Sequence, residues 1–155
     1  MQLPIDQLDQ SGAALGDVAT WNGTEWVPAP PGALPGNLWP DSSPYACAPG
    51  LLVGQAVYIS GADAVDLADA SDPAKRPMVG IVVSRPGPAT AVVRYLGEVG
   101  GFGGLSVNSF YWLSDTVPGA LTVVRPTTTG SDAQLVAIAR NATTLVLLGI
   151  VKMTL

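Results

Sequence analysis

Residues 50–60 read GLLVGQAVYIS and residues 104–114 read GLSVNSFYWLS. Gly50-Leu51 falls on Gly104-Leu105, and Val57-Tyr58-Ile59-Ser60 falls in the same register on Tyr111-Trp112-Leu113-Ser114. A weaker echo follows: Thr90-Ala91-Val92-Val93-Arg94-Tyr95-Leu96-Gly97 resurfaces in Thr143-Thr144-Leu145-Val146-Leu147-Leu148-Gly149. The pattern predicts a duplication, each unit holding about four strands in roughly 50 residues. A single four-stranded unit cannot bury both of its faces, so two halves that close on each other are the economical arrangement.

The rest of the chain after Ala48 has the same texture. Short β-branched and aromatic runs cover residues 56–60, 65–68, 79–83, 91–99, 110–114, 121–124, 135–140 and 145–152, with turn residues between them. Eight short strands at this spacing predict an all-β domain, a small barrel or sandwich, over residues 47–155. No window keeps a 3.6-residue period, so little helix is expected.

Residues 1–46 differ. Pro4, Pro28, Pro30, Pro31, Pro35, Pro40 and Pro44 recur with glycines between them, and β-branched runs are few. Proline fixes φ and removes a donor, so this segment is expected to be an extended arm that, fully stretched, could reach roughly 150 Å. Within it, residues 20–32 read TWNGTEWVPAPPG. Asn22-Gly23 suits a two-residue type I′ turn that would pair Trp21 with Thr24. A two-stranded hairpin is marginal in water, yet each tryptophan buries on the order of 200 Å² when covered. The hairpin therefore makes sense once a surface covers it. Trp39 and Tyr45 continue the series of aromatic residues separated by prolines, and such residues commonly dominate interface energy.

Composition narrows the function classes. Of the 155 residues, 48% are hydrophobic and 12% charged, against about 25% charged in an average soluble domain. A surface this poor in charge is expected to be covered, most simply by sister subunits. The net charge of −5 and the scattering of the five arginines argue against nucleic acid as a partner. The longest apolar run, residues 145–151, is too short to span a bilayer as a helix, and the first twenty residues carry no Lys or Arg, so neither a membrane partner nor a signal peptide is expected.

Catalytic chemistry is thinly provided. The chain has no histidine and one cysteine, Cys47, which rules out Ser-His-Asp and Cys-His arrangements, histidine metal sites, thiolate zinc sites and an intrachain disulfide. Without a base to activate it, Cys47 reads as a small buried hydrophobe. Asp63, Asp66, Asp69 and Asp72 stand at three-residue intervals, which does not match the alternating ligands of an EF-hand loop, so a strand edge and a solvated loop are expected. The run Gly97-Glu98-Val99-Gly100-Gly101-Phe102-Gly103-Gly104 lacks the Lys-Ser/Thr of a phosphate loop and reads as a tight crossing between the two halves. Nothing selects Asp115 with Glu98, or any other carboxylate pair, as acid and base. No catalytic residue, metal or cofactor is assigned, and the expectation is a protein that is not an enzyme.

The arm pattern Leu15-Gly16-Asp17-Val18 followed by Trp21-Asn22-Gly23-Thr24-Glu25-Trp26-Val27-Pro28 resembles a short motif recurrent in tailed-bacteriophage fibre and virion-surface proteins. Downstream, Gly50-Leu51 through Val57-Tyr58-Ile59-Ser60, Ala64-Val65-Asp66-Leu67-Ala68-Asp69-Ala70, Val79-Gly80-Ile81-Val82, Gly97-Glu98-Val99, Leu105 through Tyr111-Trp112-Leu113-Ser114 and Pro118-Gly119-Ala120-Leu121-Thr122 are similar to a β module of phage head-decoration, head-fibre and tail-fibre proteins. The resemblance implies a virion structural protein, usually a homotrimer, with no catalytic residues to carry over. The chain has no triple-β-helix or collagen-like shaft repeat, which favours a compact knob on the outer capsid surface. The expectation is a trimeric capsid decoration, or cement, protein whose partners are the major capsid protein and itself. Three copies would associate through apolar barrel faces, and Leu3, Ile5, Leu8, Trp21, Trp26 and Trp39 of the arm would dock on neighbouring subunits. The alternative is a tail-fibre or tail-tip adhesin using Trp112 and Tyr111 near Asp115.

Overall fold

The computed structural model describes residues 18–21, 24, 26–29 and 42–154, and the chain divides into two compact units, residues 1–40 and 41–155. In the first unit β1 (Val18–Trp21) and β2 (Trp26–Ala29) form an antiparallel pair. Its register sets Trp21 opposite Trp26 and Val18 opposite Ala29. Four residues therefore connect the strands, in place of the two-residue turn expected from Asn22-Gly23. Four-residue loops are a common alternative to the two-residue hairpin connection.

The second unit is all-β and holds two five-stranded sheets. The first half contains β3 (Ser42–Cys47), β4 (Ala56–Gly61), β5 (Ala64–Leu67), β6 (Gly80–Gly87) and β7 (Thr90–Arg94). The second contains β8 (Gly97–Val99), β9 (Phe110–Leu113), β10 (Leu121–Thr122), β11 (Asp132–Asn141) and β12 (Thr144–Thr154). The helical content of the described residues is a single 3-10 turn, Pro73–Lys75, started by the Asp72 carboxylate accepting from Ala74 N–H. The expected boundary at residue 46 falls inside β3, so residues 42–46 belong to the folded body. Pro44 is tolerated there because it is an exposed strand position whose neighbours keep the ladder with β7.

The duplication is legible in the topology. The second half runs in the order β10-β9-β11-β12-β8, and the first, read from the corresponding strand, runs β5-β4-β6-β7-β3. Each strand of one half has a counterpart at the same place in the other. The halves hold five strands each where four were expected, because β3 and β8 were not separated as strands of their own. At two points the structural offset is the same: Gly50 corresponds to Gly104, and Thr90, which opens β7, to Thr144, which opens β12, both 54 residues on. The echo read from Thr143 is thus one residue out of register.

The two halves close differently. In the first, β3 and β5 pair in parallel through Ala46↔Ala64 and Cys47↔Val65, completing a barrel. Val57, Val65, Val82, Ala91 and Val93 fill its interior under Leu51. Strand alternation turns Ala56, Tyr58 and Ile81 outward, where they join Tyr111, Leu113, Leu145 and Leu147 of the second half in one core. The outer wall of the barrel thus occupies the inside of the second sheet. With that space filled, and with β10 only two residues long, the second sheet stays open between β8 and β10.

Polar contacts fasten the halves. The backbone of Ala70 donates to Ser114 O at 3.1 Å and accepts from Asp132 N–H at 2.9 Å. Arg76 Nη1 donates to Ala70 O at 2.8 Å and lies 3.2 Å from the Asp132 carboxylate. Gly80 marks a close backbone approach in the barrel: a Cβ there would stand 2.4 Å from Arg94 O.

Candidate docking surfaces

The six residues expected to dock all belong to the first unit. Leu3, Ile5, Leu8 and Trp39 lie outside the described residues. Trp21 and Trp26 are brought together, directly opposite one another at the loop end of the β1–β2 ladder. Tyr45 belongs elsewhere. It sits in β3, half-buried, packed against the barrel core, and its ring meets Tyr95 edge to face at 6.4 Å. The Tyr45 and Tyr95 hydroxyls are hydrogen-bonded to each other at 2.5 Å. That hydrogen bond, followed by burial, pushes Tyr45 up to about 12. Tyr45 is a barrel residue and not an anchor of the arm.

The open seam of the second sheet forms a groove of about 500 Å³. One wall is the Gly101–Leu105 loop that follows β8, and the other is residues 117–121 leading into β10. Tyr111, Leu145 and Phe102 contribute from below, and residues 52–55 of the barrel half close one side. A Cβ placed at Gly101, Gly103 or Gly104 would meet nothing within 4 Å. At these three positions the wall is bare backbone, which lets another chain approach closely. Leu52, Val53 and Val117 stand at the rim, each more than half exposed. Gly101 and Gly104 adopt positive φ, so the loop is shaped by glycine. The glycine run therefore lines a groove that the second half forms with residues 52–55 of the barrel half. The crossing between the halves comes earlier, at Tyr95 and Leu96 between β7 and β8.

The residues named for a saccharide site are separated by strand alternation. Tyr111 is buried, and its hydroxyl accepts from Ser106 N–H at 3.0 Å. Trp112 points to the opposite face, half-buried, with the Arg125 guanidinium carbon 5.9 Å from the ring centroid. Asp115 accepts from Thr128 Oγ1 at 2.8 Å. The acidic series is engaged locally. Asp69 accepts from the Ser71 amide and hydroxyl, Asp66 accepts from Leu67 N–H, and Asp72 caps the 3-10 turn and lies 3.5 Å from Lys75. Among the described residues no group of three or more His, Cys, Asp or Glu is placed to hold a metal ion. Cys47 is partly buried against the barrel core. No helix of the described residues is long and apolar enough to cross a membrane. Glu98, considered with Asp115 as an acid–base pair, is bound to Arg140 instead.

The groove had no strong sequence signal of its own. Its walls come from three segments that meet only because the second half fails to close. Comparison with protein-family models, curated proteins and solved structures found no match for this chain.

Proposed function

We propose that this protein is a non-enzymatic virion structural protein, a homotrimeric capsid decoration protein that binds the outer surface of a phage shell through its N-terminal arm. The observation that carries the reading is the β1–β2 ladder, a separate two-stranded unit with Trp21 opposite Trp26. So small a hairpin gains its stability from a surface that covers it, and paired tryptophans are strong anchors once desolvated. The resemblance of the arm and the β module to phage virion-surface proteins supplies the identity of that surface. The major capsid protein is the partner, and binding at many equivalent sites reinforces the shell through avidity. The test is co-sedimentation of the Trp21→Ala/Trp26→Ala variant with undecorated capsids. The reading expects at least about a tenfold loss of affinity; decoration at full occupancy by the variant refutes the role of the arm.

A tail adhesin remains the second reading, favoured by Phe110 and Trp112 on the outward face of β9. Binding of the protein to host cells, with none to capsids, would select it.

A further inference from the structure

Tyr45 and Tyr95 form a pair that the docking reading does not use. Tyr45 stands on β3, and Tyr95 directly follows β7. Their rings meet edge to face with centroids 6.4 Å apart, and their hydroxyl oxygens are 2.5 Å apart. Both rings pack on the barrel core, and both are half-buried, so a small oxidant in solvent can reach them. The chain's other two tyrosines, Tyr58 and Tyr111, belong to the core between the halves.

We propose that Tyr45 and Tyr95 are a site of covalent modification, joined within one chain as dityrosine by a one-electron oxidant of the peroxidase or photo-oxidant class. A phenol gives up an electron most readily when its hydroxyl proton has an acceptor at hydrogen-bond distance, and each hydroxyl here is the other's partner. Two oxidant equivalents take one electron each, and each ring releases its hydroxyl proton. The resulting tyrosyl radicals carry spin on the carbons ortho to oxygen, and one C–C bond forms between an ortho carbon of each ring. The hydrogens on those two carbons move to the oxygens and restore both aromatic rings. Two phenols thus become one biphenol, with two protons released and the oxidant reduced by two electrons. Proximity selects the partner. The ortho carbons adjoin the carbons that bear the touching hydroxyls, and side-chain rotation brings them together sooner than a second chain arrives by diffusion. The bond fastens a short seam. β3 closes the barrel on β5 through two residue pairs, Ala46↔Ala64 and Cys47↔Val65. A Tyr45–Tyr95 bond ties β3 to the crossing into the second half across a separation of 50 residues, which restricts the unfolded chain.

The test exposes the full-length protein to light with a ruthenium tris-bipyridyl complex and persulfate as the one-electron oxidant. Dityrosine fluorescence is expected in chains of monomer length on a reducing, denaturing gel. Those chains are expected to be lighter by two hydrogens, with tandem mass spectrometry placing the link between Tyr45 and Tyr95. Tyr95→Phe keeps the ring and its packing and is expected to cut the intrachain signal at least about tenfold, while Tyr58→Phe leaves it unchanged. Dityrosine found only between chains, a link mapped to other tyrosines, or an undiminished intrachain signal in Tyr95→Phe overturns the proposal. Should Tyr95→Phe lose its β spectrum, the position of the link mapped in the wild type decides alone.

Discussion

The side-chain amide of Gln134 holds both polar atoms of the Met78 backbone. Met78 N–H donates to Gln134 Oε1 at 2.9 Å, and Gln134 Nε2 donates to Met78 O at 2.8 Å. Gln134 is on β11 and Met78 precedes β6, so one amide plays the part of a ladder partner between the two halves. Both residues are buried. Gln134→Leu keeps the bulk but strands a buried N–H and a buried C=O, and the expected cost is about 3 kcal/mol in chemical denaturation. A loss below about 1 kcal/mol would show that the clamp is replaced by water or by relaxation.

Arg76 and Asp132 make the second fastening, with side chains 11% and 2% exposed. Burial makes the pair costly to break and of little net benefit as a whole. Asp132→Ala is expected to lose about 3 kcal/mol, while Arg76→Met/Asp132→Leu recovers most of that loss. Both variants are to be compared with wild type at low and high salt, where the difference should hardly change because the pair is shielded from solvent ions.

Two glycines of similar appearance should respond in opposite ways. At Gly80 a methyl group would meet Arg94 O at 2.4 Å and Val93 Cγ1 at 2.6 Å, so Gly80→Ala must displace the β6–β7 ladder. A loss of about 2 kcal/mol or more is expected from overpacking of this kind. At Gly103 a methyl group meets nothing within 4 Å, and Gly103→Ala should stay within about 0.5 kcal/mol of wild type. Thermal unfolding of the two variants side by side checks the contrast.

Alkaline pH should act on the barrel. The folded state holds the Tyr45 proton more tightly than the unfolded chain does, with an ionisation pushed up to about 12 from the usual 10. The folded state therefore binds more protons above pH 10, and stability must fall as pH rises from 10 to about 12, being fully present below 10. Tyr45→Phe removes this group and should flatten that part of the profile. An equally steep fall in the variant would assign the effect to other groups.

Much of the fold was legible because strand periodicity is local. All eight apolar runs correspond to strands, and the doubled Gly-Leu motif marked a duplication that reappears in the topology. What escaped was set by partners distant in sequence. Residues 42–46, with Pro44 among them, read as arm, and only pairing with β5 and β7 makes them part of a strand. Residues 91–99 read as one strand, but the chain breaks at Tyr95 and Leu96 to pass from one half to the other. The groove and the outer apolar face were the least legible. Which side of a strand is covered depends on how the halves pack, and the Phe110/Trp112 alternation says only that the two sides differ. Of the expected docking residues, the pairing of Trp21 with Trp26 was half visible: the hairpin was expected, its register was not.

The central claim is that the protein decorates a capsid, and the most direct measurement is co-sedimentation of the full-length chain with assembled, undecorated phage capsids, its own mass having been set by light scattering. The account predicts a trimer that saturates the shell at a fixed ratio to the major capsid protein. A trimer that stays in the supernatant with capsids, yet pellets with host cells or with isolated tails, contradicts it.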